Sequence, residues 1–226
     1  MKSIAGFKKT QGVAYVSSLN KVFVASGDDG MFRVFRGDTF ELLDAIKLDL
    51  GPNRVAYDPH AQLLYVGYGG KDAGKDYGEV GIIDAKTDKH LGDIKVEAHP
   101  SELLLDQSGK TLFVFVSIAS KVQVVDTKKR EVVSTWPVSS QRNGDGALDE
   151  NKHRLFIGTR TPPQMIAMDS QTAKRSQISR PLRAWTESIS ILGSSESIFP
   201  VVATTMLAMS SSTSRKMPII TKPSGK

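Results

Sequence analysis

Strand-forming residues recur four times along the chain, at intervals of 42, 48 and 43 residues, and this repeat limits the fold more than any other feature. Each unit has four short segments rich in Val, Ile, Phe and Tyr, separated by turn residues such as Asp58-Pro59 and Ser108-Gly109. No window carries the apolar stripe of a helix. Four-stranded units of about 40–50 residues are too thin to bury their own faces, so they stack radially. The sequence therefore predicts an all-β fold, a β-propeller of four-stranded blades.

The repeats also predict how the chain is divided. Residues 1–174 form an incomplete propeller of about four blades plus a fragment, and the second interval is longer because residues 69–77 are inserted as a loop. The predicted boundaries are 1–11 for the fragment and 12–50, 51–98, 99–141 and 142–174 for the blades. Residues 175–226 form a separate tail.

The composition of that tail differs from the rest of the chain. Residues 175–226 contain 12 Ser and no Asp, and the alternation typical of strands ends at Lys174. A Ser-rich basic tail without fixed structure is one interpretation. The other is a reading-frame error, because residues 185–191, shifted back by one base, can encode MDGIYFD, which resembles a blade strand. We predict that the tail is aberrant and out of frame.

Charge and composition exclude several classes of function. The net charge is +6, but residues 1–174 hold 23 Lys and Arg against 22 Asp and Glu, so the propeller part gives no support to a nucleic-acid partner. The absence of Cys excludes disulfides, Cys-bound zinc and a thiol nucleophile. No apolar run approaches about 18 residues, so we expect no membrane span. The first residues lack the apolar region of a signal peptide.

Several segments resemble a known family of propellers. They read NKVFVASGDDGMFRVFRGDTFELLDAI, QLLYVGYGG, GEVGIIDAKTDKHLGDIKV, SGKTLFVFV and SKVQVVDTKKREVV, and a signature turn stands at Asp126-Thr127-Lys128-Lys129. These residues resemble the YVTN-repeat, YncE-like bacterial β-propellers over residues 1–174. The resemblance implies about seven blades in the whole protein, a periplasmic or secreted location for the intact gene product (otherwise cytoplasmic), and a monomer when intact. Four blades do not close such a ring, so we expect a truncated propeller with open edges and poor solubility.

Candidate ligand-binding residues lie in the loops that lead into the blades. Loops at this position line one end of the central channel in propellers. Asn53, His99, Asn143 and Asp145 lie in such loops, although packing or loop rigidity is the alternative role for His99. No Ser-His-Asp or G-x-S-x-G arrangement is present, and the four His residues lack metal-ligand spacing. We therefore predict no catalytic residue, no metal and no cofactor.

Two further patterns have structural interpretations. Residues 69–75, GGKDAGK, fit the letters of a phosphate-binding loop, but Asp76 and a strand follow instead of Ser or Thr and a helix, so we predict no nucleotide site. An Asp recurs at the strand ends, where its carboxylate is predicted to accept backbone amides of the next turn. These residues are Asp58, Asp84, Asp106, Asp126, Asp149 and Asp169.

Two classes of function remain open. The first is a non-enzymatic binding or scaffold propeller that holds a small molecule or a protein partner at the channel-end loops. The second is a propeller enzyme, lactonase-like or similar to metal-dependent hydrolases, with its site on the channel axis. The missing catalytic arrangement favours the first.

Overall fold

Four antiparallel sheets make up the part of the chain that the computed structural model describes, residues 3–176. The first sheet contains β1 (Thr10–Val16), β2 (Lys21–Ser26), β3 (Met31–Arg36) and β4 (Leu42–Lys47). The second contains β5 (Val55–Asp58), β6 (Leu63–Gly69), β7 (Gly78–Asp84) and β8 (His90–Val96). The third contains β9 (Glu102–Leu105), β10 (Thr111–Val116), β11 (Lys121–Asp126) and β12 (Glu131–Pro137). The fourth contains β13 (Asp145–Asp149), β14 (Arg154–Arg160), β15 (Pro163–Asp169) and β16 (Arg175–Ser176).

The predicted all-β fold class is confirmed. Within residues 3–176 the helical segments are two 3₁₀ turns, Ser17–Leu19 and Gly70–Ala73. Each sheet is a meander of strands that are consecutive in sequence, because each hairpin pairs a strand with the next one. The first strands β1, β5, β9 and β13 contact one another in that order, as the innermost strands of propeller blades do. Residues 177–226 lie outside the described residues, so the out-of-frame tail stays a prediction.

Apolar side chains fill the space between neighbouring sheets. Three buried clusters are formed, one between each pair of successive sheets. Phe23, Tyr65 and Phe113 hold the same position in β2, β6 and β10, and each is at most 3% exposed. Burying a side chain of this kind contributes about 2–3 kcal/mol. The sequence predicts that Tyr65, Phe113 and Phe156 pack between blades in this position; the prediction is confirmed for Tyr65 and Phe113, whereas Phe156 is only half-buried.

The recurring Asp residues terminate strands by accepting amide hydrogens. Asp84 Oδ1 accepts the amides of Lys86 (2.9 Å) and Thr87 (2.8 Å), and Asp58 Oδ1 accepts those of His60 and Ala61. At least one backbone amide of the following turn donates to the carboxylate at each of the other four predicted positions, Asp106, Asp126, Asp149 and Asp169. The structural role of these residues is thus confirmed. The pKa of Asp84 is lowered from its ordinary value of 3.8, chiefly because its carboxylate accepts the hydrogen bond of the Thr87 amide.

A nearly buried ion pair joins the first sheet to the second. Lys21 Nζ lies 2.8 Å from Asp88 Oδ2 and donates to the carbonyl oxygens of Ala85 (3.1 Å) and Lys86 (2.9 Å). The side chains of Lys21 and Asp88 are 14% and 12% exposed. Burial raises the pKa of Asp88, and Lys21 opposes this by lowering it. The charged form of the carboxylate is therefore stabilised by Lys21.

We expect Asp84→Asn to weaken the acid dependence of stability. The folded pKa of Asp84 is lowered, so its contribution is present above the unfolded value of 3.8 and is lost as pH falls through the folded pKa. The variant lacks this titration, and its free energy of unfolding should fall less steeply in acid. Urea unfolding between about pH 6 and 2 measures this, with Asp76→Asn in an exposed loop as the control. Identical acid profiles for wild type and Asp84→Asn contradict the prediction.

Lys21→Met should lower the free energy of unfolding by about 3 kcal/mol, because it leaves the Asp88 carboxylate buried without a cation. The double variant Lys21→Met with Asp88→Asn should recover part of that loss. The control is Lys9→Met, whose pair with Asp28 is more than half exposed and contributes less than about 0.5 kcal/mol. Chemical denaturation of the four proteins tests the link; equal losses for the Lys21 and Lys9 variants would exclude it.

Candidate functional site

Three charged residues occupy the same position in successive sheets. Val55 pairs with Val66, Leu103 with Val114 and Gly146 with Ile157, each opposite the equivalent residue of the second strand. The residues one position earlier are therefore equivalent as well. They are Arg54, Glu102 and Asp145, which stand where the chain enters the innermost strand of the second, third and fourth sheets.

Arg54 connects these three sheets. Its Nη2 donates to Asp145 Oδ1 over 3.1 Å, and its Nε donates to the carbonyl oxygen of Ser101 over 3.1 Å. The same Nε lies 3.8 Å from Glu102 Oε2. The Arg54 side chain is 40% exposed, so solvent screens these ion pairs. They orient the three side chains more than they stabilise the fold. One guanidinium thus faces two carboxylates at the channel-end loops.

Two acceptor oxygens in this region are buried without a partner among the described residues, Asn143 Oδ1 and Asp145 Oδ2. Asn143 is fully buried, and its Nδ2 donates to the backbone carbonyl oxygen of Lys121 (2.9 Å). The backbone carbonyl oxygen of Asn143 accepts a hydrogen bond from Ser101 Oγ (3.0 Å). These bonds fix the loop that leads into β13. An unpaired buried acceptor costs about 1–3 kcal/mol, which a hydrogen-bond donor reaching either oxygen would recover.

The other two predicted site residues form a separate pair. His99 Nδ1 donates to the carbonyl oxygen of Gly69 (3.0 Å), which leaves Nε2 to accept from Asn53 Nδ2 at 3.5 Å. The backbone of Gly70 packs against His99, since a Cβ there would lie 2.8 Å from the His99 Cβ. The contacts of His99 therefore fit the packing interpretation better than a ligand role.

Arg54, Ser101 and Glu102 are functional candidates that the motif search missed. Burial raises the pKa of Glu102, Arg54 lowers it, and Asp145 raises it further. Arg54 adjoins the predicted candidate Asn53, and Ser101 and Glu102 lie two and three residues after His99. Arg54 and Glu102 stand at a position that is charged in three successive repeats. Alignment of the repeats by strand register could have found them.

The inserted loop has other contacts than a phosphate-binding loop. Its residues form the 3₁₀ turn Gly70–Ala73, and β7 follows instead of a helix. Lys75 Nζ is paired with Asp49 and Glu79, each at 2.9 Å. Lys75 thus holds the loop against the connection that follows β4 and against β7. Within residues 3–176 no group of three or more His, Asp or Glu side chains is placed to hold a metal ion.

Comparisons with known proteins identify the fold. No protein-family model matches the chain, and no curated protein matches it. Among solved structures, hydrazine synthase of Kuenenia stuttgartiensis is similar at a TM-score of 0.67 and 17% identity, over 78% of this chain and 50% of that chain. That protein contains a β-propeller. The fold of this chain is a β-propeller.

The propeller spans half the length of the hydrazine synthase chain that it matches, and at this identity the likeness concerns the fold alone. The described residues of the propeller include no helix of the length and apolarity needed to cross a membrane. The site must therefore be interpreted from its own residues.

Arg54→Gln should raise the pKa of the Glu102 carboxyl, because it removes the nearby positive charge, while burial and Asp145 still raise this pKa and only the Leu103 amide still lowers it. A pH titration of the carboxyl carbon signals by NMR measures this directly. The matched control is Arg36→Gln, an exposed arginine paired with Glu41 on the first sheet. An unchanged Glu102 pKa in Arg54→Gln would show that the two groups do not interact in solution.

Proposed function

We propose that the chain is a non-enzymatic binding propeller that holds a ligand at the loops leading into the second, third and fourth sheets. The observation that carries the proposal is the pair of buried, unpartnered acceptor oxygens, Asn143 Oδ1 and Asp145 Oδ2. Ligand sites in proteins combine a fixed scaffold with a few convergent polar groups. The hydrogen bonds of Ser101 and Arg54 supply such a scaffold around these two residues.

The chemistry of the site favours a cationic hydrogen-bond donor. Both unpartnered atoms are acceptors, and the nearby charges are one guanidinium against the carboxylates of Glu102 and Asp145. A primary ammonium supplies several donors and a positive charge. We therefore propose a small molecule that carries an ammonium group, such as an amine or an amino acid.

The resemblance to the YVTN-repeat, YncE-like family belongs to this proposal. It is supported by the strand and turn segments of residues 1–174, including the Asp126-Thr127 turn in which Asp126 accepts the amide of Lys129. With it we propose that the intact gene product is periplasmic or secreted. These are the compartments in which members of that family commonly act.

A propeller enzyme is the second candidate, and one observation favours it. The raised pKa of Glu102, close to an arginine and a second carboxylate, is a property of general acids and bases. Structural ion-pair networks also shift pKa values, and no nucleophile accompanies Glu102 in the contacts described above. Binding without catalysis is therefore the better supported function.

Compounds with a primary ammonium group should bind, and carboxylates of similar size that lack an ammonium group should not. We expect a panel of amino acids and short diamines to contain compounds that raise the melting temperature of the protein, with dissociation constants then measured by calorimetry. Asp145→Asn should weaken binding of those amines by about tenfold or more, because a hydrogen bond to a charged group contributes about 1.5–3 kcal/mol. Asp76→Asn, in the exposed inserted loop, is the control.

Two outcomes would contradict the proposal. One is binding of carboxylates in preference to amines; the other is amine binding that Asp145→Asn leaves unchanged. Turnover of a bound compound that Glu102→Gln abolishes would instead favour the enzyme.

A further inference from the structure

The Glu102 carboxylate has weaker support for its charge than the Asp145 carboxylate beside it. The Glu102 side chain is only 16% exposed, and its Oε1 accepts the amide hydrogen of the next residue, Leu103 (3.0 Å). Its Oε2 lies 3.8 Å from Arg54 Nε, but that nitrogen donates its hydrogen bond to the carbonyl oxygen of Ser101. A carboxylate that is buried with so few donors is costly to ionise.

One guanidinium is shared by the two carboxylates. Arg54 Nη2 donates to Asp145 Oδ1 over 3.1 Å, so the closer ion pair goes to Asp145 and Glu102 has the longer one. The Arg54 charge favours the ionised form of Glu102, whereas the Asp145 charge disfavours it. Whether Glu102 holds a proton therefore depends on how fully the charge of Asp145 is compensated.

The strands that contact β9 determine which charges act on Glu102. Arg54 directly precedes β5 and Asp145 begins β13, and both strands contact β9. β10, which pairs with β9, consists of Thr111–Val116 and has no titratable side chain. β6 also contacts β9, but its two tyrosines interact with carboxylates of their own sheet. Among the described residues, the charges that act on Glu102 are thus those of Arg54 and Asp145.

We propose that an ammonium ligand bound beside Asp145 displaces the proton of Glu102 to solvent, so that the affinity of the site rises with pH. This inference rests on the proposed function. The ammonium donates to Asp145 Oδ2 and Asn143 Oδ1, the two unpartnered acceptors, and its charge compensates that of Asp145. Asp145 then opposes the ionisation of Glu102 less, while Arg54 still favours it. Glu102 acts through these neighbours and does not itself have to touch the ligand.

The direction of the pH dependence follows from the coupling of two charges. Burial holds the pKa of Glu102 above its ordinary value in the free protein, and a bound cation lowers that pKa in the complex. Between the two pKa values, binding releases a fraction of one proton, and the dissociation constant falls as pH rises. Below both values Glu102 stays protonated, and above both it stays ionised, so no proton is released there. An alkylammonium group keeps its own proton throughout, because its pKa is close to that of lysine, about 10.4.

Calorimetric titration of the full chain with n-butylamine and with 1,4-diaminobutane tests the proposal. Titrations at several pH values between about 4.5 and 8, each in two buffers of different ionisation enthalpy, give the number of protons released per bound ligand. We expect the dissociation constant to fall by at least about threefold from the acid end to the neutral end, with proton release in the same interval. This measurement requires no variant.

A variant assigns the proton to Glu102. Glu102→Gln keeps the shape of the side chain but does not titrate, so it should bind the amines with an affinity that varies little with pH and with little proton release. The matched control is Glu131→Gln, because Glu131 lies on β12 of the same sheet and its side chain is 60% exposed. This control should keep the wild-type pH profile. Circular dichroism and thermal melting establish that both variants fold.

The outcomes separate this inference from the proposed function. Amine binding that does not change with pH, or that releases no proton, overturns the inference alone. A pH dependence that Glu102→Gln leaves unchanged also overturns it and assigns the proton to another group, such as Asp145. Absence of amine binding at every pH overturns both the inference and the proposed function.

Discussion

Face-to-face packing of thin sheets is the constraint on which this structure depends. A four-stranded meander cannot bury either of its faces alone, so each sheet gains stability only from the sheets on both sides. Phe23, Tyr65 and Phe113 repeat the same contact at three successive interfaces. The Lys21–Asp88 pair adds a polar link between sheets, from the start of β2 to the turn before β8. Stability is therefore shared between neighbouring sheets.

The channel-end loops follow the same repeat, but they carry charged and polar residues instead of the apolar residues that pack between the sheets. The residue at which the chain enters the innermost strand differs in identity from sheet to sheet. The result is Arg54, Glu102 and Asp145 at equivalent positions, linked across three sheets. Buried acceptors of Asn143 and Asp145 remain without partners beside this link. The polar site thus arises at one position of the repeat whose residue varies between sheets, whereas burial restricts the residues at the other positions.

Much of the fold could be predicted from sequence because the signals are local. Alternation of Val, Ile and Phe identified the strands, and the Asp at each strand end identified the turns, where six carboxylates do accept backbone amides. The site was predicted less completely. Asn143 and Asp145 were found from loop position, but Arg54, Ser101 and Glu102 were missed, because their partners on other sheets are 42 or more residues away in sequence. The ligand-binding role of all these residues remains a proposal.

The sequence by itself determined the all-β class, the four-stranded unit and its repeat, since each depends on side-chain alternation and turn chemistry within one hairpin. Only the tertiary structure decided which carboxylate Arg54 meets and that His99 packs on glycines. Those facts depend on distances between sheets. Local patterns do not encode such distances, because the packing of separate sheets fixes them.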